Sequence, residues 1–570
     1  MTAVERPRTI ARLWRDAVAR SPEQAPYLVE DDSGWHEVSW PEAARTVDEL
    51  AHGLLALGIE KGDAFAILGP PRLEWSLFDF ALALVGAVGV GIYADCGPTD
   101  VAYVLEHSEA VGLLAADETQ LAKVEGVRPA HVLTFADLPA LRERGRGQAR
   151  QHPEALDSAT GSIAEDDLFT LIYTSGTTGR PKACMITNRN YYAMVETIDR
   201  LDNFIGQGDM MLLYLPLAHN FGRLMHLAAP YAGYSIAFVP DPARIVGALP
   251  VVRPTVLPSV PRLYEKVHAS VTAEIAAQTG LKRRLADWAL AVGRRASERR
   301  LRGDPLSPVL VLQHRIAALL VARKVHANLG GRIRFGISGG APLAQEVAEF
   351  FHALDLTILE GYGLTECTTA ATLNRPGHLR FGTVGTAMPG FEVRIADDGE
   401  VLIRSETVFA GYFKDPEATR GSLTEDGWLR SGDVGTLDED GFLRITDRKK
   451  DLIVTAGGKN VAPQNLEAAL KSSKYVSQAI ALGDRRPYIV ALLTLDPDEV
   501  ASSGRDPDEL AREAVDAANG DLARFEQVKR FAVLPRDFSA EEGEVTPTQK
   551  LRRKVIEEHF AAEIAALYER

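Results

Sequence analysis

Nine consecutive residues, Thr174-Ser175-Gly176-Thr177-Thr178-Gly179-Arg180-Pro181-Lys182, combine four hydroxyls, two glycines and a terminal lysine. Glycine frees backbone N–H groups to face phosphate oxygens, hydroxyls add donors and the lysine adds charge, so the stretch reads as a triphosphate clamp. A plain hydrophilic turn has the same polarity but needs neither the hydroxyls nor the lysine. The P-loop spacing G-x-x-x-x-G-K-[ST] is absent: Gly176 and Gly179 are too close, Lys182 follows proline, and Ala183 stands where a metal-binding hydroxyl would be. A P-loop kinase or motor is therefore disfavoured.

The elements around this segment predict what positions it. Leu168 to Thr174 reads as a strand running into the loop, and further short apolar runs, Met211–Leu215, Thr255–Leu257, Ile333–Ser338 and Leu356–Leu359, each end in glycine or proline. Five such strand ends converge on one cleft in a layered α/β fold with largely parallel sheets. Past about Gly390 the pattern changes to β-hairpins with turns at Asp398-Gly399 and Asp440-Gly441, and a helix, a hairpin (Gln478 to Leu495) and a terminal helix follow the charged run Asp447 to Asp451. The fold class expected is α/β: a large N-terminal domain of layered α/β sheets with a β subdomain over residues 1–447, and a small, mobile C-terminal α+β domain over 448–570. The Arg- and Gln-rich stretch Arg142 to Gln151 reads as a surface loop.

Composition narrows the function classes. Among 570 residues, 63 basic side chains face 78 acidic ones, a formal charge of −15 that argues against a nucleic-acid partner. Three cysteines, at no metal-ligand spacing, point to a reducing, cytoplasmic setting. The N-terminal twenty residues read as an amphipathic helix without an export signal's apolar core. The longest uncharged run, Phe80 to Ala94, is shorter than the ~20 apolar residues of a membrane span and reads as a helix ending near Gly86 followed by a buried strand.

The phosphate loop, together with Gly361-Tyr362-Gly363-Leu364-Thr365-Glu366, Ser431-Gly432-Asp433, Asp447-Arg448 and Pro547-Thr548-Gln549-Lys550, resembles the adenylate-forming (ANL) superfamily, in that superfamily's order and across essentially the whole chain. Gly457-Gly458-Lys459-Asn460-Val461-Ala462-Pro463 and the segment from Thr546 to Arg553 resemble the long-chain acyl-CoA synthetase branch. The resemblance implies that Thr174 to Gly179 and Lys182 hold ATP, that Tyr362 stacks on adenine with room left by Gly340, Ala341 and Pro342, and that Gly361, Gly363 and Thr365 complete that pocket. It implies Mg2+ at Glu366 and Thr177, ribose binding by Asp433 and Arg448, a hinge at Lys450, and CoA binding by Gly457, Gly458 and Lys459. Lys550 would bridge the substrate carboxylate and the α-phosphate. His219 and Phe221, within Leu215 to Phe221, would line the acyl site. The sequence departs from that branch at Asn220 and Gly222, and carries Ala183 and Cys184 after the loop lysine where other small residues are usual.

The expected activity is ATP-dependent conversion of a medium- to long-chain fatty acid to its acyl-adenylate and transfer to coenzyme A, releasing AMP and pyrophosphate. The alternatives are an acyl- or aryl-AMP ligase loading a carrier protein, and a non-ligase ATP-binding protein. The stretch Lys282 to Arg302 carries eight basic and two acidic residues, which suits the anionic inner face of a membrane or, equally, a solvated helix face. Oligomeric state is open.

Overall fold

The computed structural model describes residues 7–20, 23–124, 126–174, 180–201, 204–456, 459–520, 522–539, 541–546 and 551–569. Its contacts divide the chain into two compact units, one of Met1–Thr174, Lys182–Glu392 and Ile403–Leu429, the other chiefly of Val393–Leu402 and Arg430–Arg570. The sequence boundary at 447/448 falls inside the second unit, at the end of the strand Leu443–Arg448.

The first unit holds two large sheets. One has seven strands, in the order Gly411–Tyr412, Lys182–Thr187, Leu168–Thr174, Val88–Tyr93, Ala64–Gly69, Gly112–Ala115 and His131–Thr134. Its last five are mutually parallel. The other has nine strands and a parallel core of Thr357–Tyr362, Phe335–Ser338, Val256–Ser259, Met210–Leu213, Ser235–Phe238 and Tyr27–Asp31. The five predicted strand ends are present within three residues, those at Thr174 and Ser338 at the predicted position. The uncharged run divides as expected: Leu73–Val85 is a helix buried from Trp75 onward, Gly86 closes it with a left-handed φ, and Val88–Tyr93 is a buried strand. A helix apolar on every side is stable only inside a core, and this one lies there.

The Arg- and Gln-rich stretch is not a loop. Leu138–Gln151 is a helix packed on the helix Trp40–Leu57. Gly145 sits so close that a Cβ there would stand 1.9 Å from the Glu49 carbonyl oxygen, and Arg142 and Arg146 reach the Glu49 carboxylate at 2.7 and 3.0 Å. The composition that suggests a loop is that of a tight helix crossing locked by charge.

In the second unit, most of a four-stranded sheet (Glu392–Ile395, Glu400–Arg404, Leu429–Leu437, Leu443–Arg448) accompanies a three-stranded one (Val476–Leu482, Ile489–Leu495, Val528–Val533). Helices Pro463–Lys471 and Pro507–Asn519 supply Leu466, Leu470, Ala511 and Val515 to a core on the latter sheet. The turns at Asp398-Gly399 and Asp440-Gly441 form as predicted, with left-handed φ at both glycines. Among the described residues no helix is long and apolar enough to cross a membrane.

Candidate functional site

Ser175, Gly176, Thr177, Thr178 and Gly179 lie outside the described residues, but both ends of their loop are fixed. Thr174 and Lys182 are partners in an antiparallel ladder, and the Thr174 hydroxyl donates to the Lys182 carbonyl at 3.3 Å. The loop therefore connects a β-hairpin rather than a strand and a helix, which agrees with the absence of P-loop spacing. The Lys182 ammonium stands 5.0 Å from the centre of the Tyr412 ring and 3.8 Å from the Asp415 carboxylate.

Glu366 sits on the short 3-10 turn Thr365–Cys367, just beyond the strand Thr357–Tyr362. Tyr412 donates its hydroxyl to Glu366 Oε1 at 2.6 Å, and burial together with that carboxylate pushes the phenol far above its ordinary range, so it remains a donor. Tyr412 thus has the loop lysine over its ring and the expected magnesium residue on its hydroxyl. The sequence offers no signal for it, because 46 positions separate Tyr412 from Glu366. Glu366 Oε2 takes no hydrogen bond among the described residues. A single carboxylate suits Mg2+, which keeps several waters and is held largely through substrate phosphates.

The strand end at Gly339 and the Phe221 segment approach the Gly361 turn. A Cβ at Gly339 would lie 3.5 Å from the Phe221 ring and 3.8 Å from the Gly361 carbonyl oxygen. Gly340, Ala341 and Pro342 are exposed, and Tyr362, Thr365 and His219 are half-buried. At Gly363 a Cβ would meet the Thr369 carbonyl oxygen at 1.7 Å, so only glycine allows that loop to fold back. His219 caps the helix Asn220–Ala232, its Nδ1 accepting the Phe221 N–H at 3.2 Å. Asn220, a departure from the branch pattern, is buried: its side chain accepts the Tyr191 hydroxyl and donates to the Thr365 carbonyl at 3.4 Å, tying the acyl segment to the Glu366 turn. Gly222 faces the Leu215 and Pro216 carbonyls, where a Cβ would stand 2.7 and 2.5 Å away, while Ala183 and Cys184 are wholly buried and act in packing.

Beneath this segment lies a buried group that the sequence analysis misses. Arg223 meets Asp79 at 2.5 Å and lies 5.0 Å over the Phe169 ring; His226 Nε2 is 3.5 Å from the same carboxylate, and Ser76 Oγ is 3.0 Å from His226 Nδ1. Burial pushes the imidazole below its ordinary value, so it is neutral. The available signal is Asp79 itself, a carboxylate inside an otherwise apolar helix that must find a cation.

Glu360 precedes the Gly361-Tyr362-Gly363 turn and accepts the Leu343 N–H at 3.0 Å. Burial pushes its carboxyl up to about 7 from an ordinary 4.5. Between those values the folded chain keeps a proton that the unfolded chain gives up, so stability falls as pH rises through that window, by on the order of 3 kcal/mol. Below the window both states are protonated and the group contributes nothing. Urea unfolding of wild type and Glu360→Gln at pH 5 and pH 8 checks this: the variant should show a shallower fall, and equal falls would refute the assignment.

In the second unit Asp433 and Arg448 meet across one hairpin, Arg448 Nε 3.1 Å from Asp433 Oδ1. A bulge after Val434 sets that pairing; without it Asp433 would oppose Asp447. Asp447 is buried, accepts the Arg448 N–H at 2.6 Å, and is pushed up to about 7 by that burial. Lys449, inside the charged run, bridges Asp398 at 2.6 Å and Glu400 at 3.1 Å; Lys450 is exposed. Lys459 is exposed, its ammonium 5.9 Å from the Phe525 ring. Gly457, Gly458 and Lys550 lie outside the described residues.

Comparison with known proteins identifies the family and the fold. The AMP-binding enzyme family matches residues 14–413, and the AMP-binding enzyme C-terminal domain matches residues 450–570. The chain is 40% identical to the long-chain-fatty-acid–CoA ligase FadD15 of Mycobacterium tuberculosis, over 94% of this chain and 93% of that one. It is 31% identical to the peroxisomal long chain acyl-CoA synthetase 7 of Arabidopsis thaliana, over 95% of this chain and 83% of the other. In fold it is similar to the adenylation domain of the carboxylate reductase from Mycobacterium chelonae, with a TM-score of 0.76, 23% identity and coverage of 98% and 91%. With both family domains matched in order along the sequence, and the lysine, tyrosine and glutamate cluster inside the first of them, the chain belongs to the AMP-binding enzymes.

Proposed function

We propose that the chain is an ATP- and Mg2+-dependent long-chain fatty acid–CoA ligase. The observation that carries the chemistry is the cluster at Tyr412, where a cation, Lys182, and a carboxylate, Glu366, share one aromatic anchor at the mouth of the hydroxyl-rich loop. The fatty carboxylate attacks the α-phosphorus and pyrophosphate leaves; the CoA thiol then attacks the acyl carbonyl, and AMP leaves as its proton is released. Lys182 and the loop from Thr174 to Gly179 orient the phosphates, and Glu366 with Thr177 would hold the magnesium ion, which supplies charge neutralisation on the triphosphate. Tyr362 stacks on adenine beside Gly340, Ala341 and Pro342. Asp433 and Arg448, already paired in one hairpin, take the ribose hydroxyls. Positioning and electrostatics account for most of the first step.

Residues 448–570 act as the moving domain, pivoting at Lys450, with Lys550 serving adenylation and Gly457, Gly458 and Lys459 serving thioester formation. His219 and Phe221 open onto an apolar acyl tunnel. The enzyme works in the cytoplasm, where its three buried free thiols stay reduced, and the basic helix Gly280–Leu301 contacts the anionic inner face of the membrane.

A panel of saturated acids tests this reading. AMP and pyrophosphate should appear as products, thioester should require CoA, and kcat/KM should rise about fourfold per added methylene until the tunnel is full, since each buried methylene contributes ~0.8 kcal/mol. ADP as product, thioester formation on a carrier protein alone, or a compact aromatic acid as best substrate would overturn it.

A further inference from the structure

The basic helix Gly280–Leu301 is followed by the helix Pro308–Ala317, which continues through a π turn, Ala318–Ala322, into Arg323–Asn328. One side of this second rod is covered: Leu310, His314, Ala317, Val321 and Val325 are buried. The other side is not. Val309, Leu312, Ile316, Leu319 and Leu320 are between 45% and 66% exposed and, at helical spacing, fall within about 100° of one another. Single exposed leucines are ordinary, but five large aliphatic side chains in one unbroken stripe mark an interaction surface.

Charge identifies the partner. Residues 281–328 hold eleven basic and three acidic side chains in a chain of net charge −15. Arg284, Arg294, Arg302 and Arg315 are exposed and make no ion pair among the described residues. The two helices lie side by side, with Arg295 Nη2 3.5 Å from the Gln313 amide oxygen and Arg299 holding the Pro305 carbonyl at 3.2 Å where the chain turns. An apolar stripe bordered by cations is the pattern of a helix lying in the interface of an anionic bilayer, acyl region below and phosphate headgroups alongside.

We propose that the stripe Val309, Leu312, Ile316, Leu319 and Leu320 inserts into the headgroup–acyl boundary of an anionic membrane. The inference rests on the membrane contact proposed for the basic helix and extends it: attachment is by burial as well as by charge, and it holds the enzyme at the phase in which a long-chain acid dissolves. Insertion predicts that part of the binding survives salt, because screening weakens only the electrostatic part.

All three native thiols are buried, so a Leu319→Cys chain can be labelled at one position with an environment-sensitive dye. With vesicles of phosphatidylcholine and phosphatidylglycerol, the dye emission should rise and shift to the blue, and a fraction of wild type should still sediment with the vesicles in half-molar salt. The double variant Leu312→Ser, Leu319→Ser should partition about tenfold more weakly at that salt while turning over a short, water-soluble acid at the wild-type rate. Sedimentation with unchanged dye emission, lost in salt, would overturn insertion and leave the electrostatic reading standing. No sedimentation at low ionic strength would overturn both. A concentration-dependent dimer of wild type, abolished by Leu312→Ser, would show that a second copy covers the stripe and would also overturn the proposal.

Discussion

Alanine in place of Lys550 is expected to lower acid-dependent pyrophosphate exchange by about two orders of magnitude, as when one preorganised charge stabiliser is lost from a transition state. The attack of a carboxylate on an α-phosphate brings two anions together, and negative charge accumulates on the non-bridging oxygens as pyrophosphate departs. Lys182, exposed beside Tyr412, and Lys550, through its family resemblance, are the cations proposed for this step. Thioester formation from supplied acyl-adenylate needs no such cation and should largely survive in Lys550→Ala. Gly458→Leu should do the opposite: a branched side chain on the path proposed for the thiol would block CoA attack while exchange continues. The two half-reactions, measured separately by labelled pyrophosphate exchange and by thioester mass spectrometry, decide the matter. Equal slowing of both steps in Lys550→Ala would refute the role of that lysine and the division of labour in the C-terminal domain.

Arg223→Met is expected to destabilise the first unit by about 3–5 kcal/mol, the usual cost of removing one partner of a buried ion pair. Arg223 and Asp79 are both wholly buried, and Asp79 Oδ2 already lacks a hydrogen bond among the described residues, so the variant leaves a carboxylate with no cation in an apolar helix. Gly89 makes the approach feasible, since a Cβ there would stand 2.8 Å from Arg223 Nη2. Chemical denaturation followed by circular dichroism measures the loss. The double variant Asp79→Leu, Arg223→Met should recover most of it, because two apolar groups of similar volume remove the desolvation cost together with the attraction. Because Arg223 lies one turn into the helix capped by His219, the single variant should also raise KM for the fatty acid. A loss below 1 kcal/mol would show that the carboxylate reaches water by another route.

The sequence by itself determined whatever rests on neighbours a few residues apart. Asp440-Gly441 makes its hairpin because that dipeptide accepts a positive φ cheaply, Gly86 ends its helix for the same reason, and the apolar runs ending at Thr174, Ser338 and Leu359 become strands because they alternate with breakers. The order of the motifs, each complete within a few residues, was enough to expose the family. Tertiary structure decided what depends on distant segments. The stretch Leu138–Gln151 packs as a helix on Trp40–Leu57, where Arg142 and Arg146 meet Glu49, and Lys449 is paired because a separate hairpin brings Asp398 and Glu400 to it. A bulge of one residue brings Arg448 rather than Asp447 opposite Asp433. Tyr412 reaches Glu366, and Arg223 reaches Asp79, across 46 and 144 positions. The stripe from Val309 to Leu320 follows the same division: its helical period is written in the sequence, but which of its apolar side chains stay uncovered depends on the helices that pack beside it. Periodicity and turn chemistry are properties of adjacent residues, whereas the partner of a buried charge is fixed by strand order and loop closure, which no short window of sequence contains.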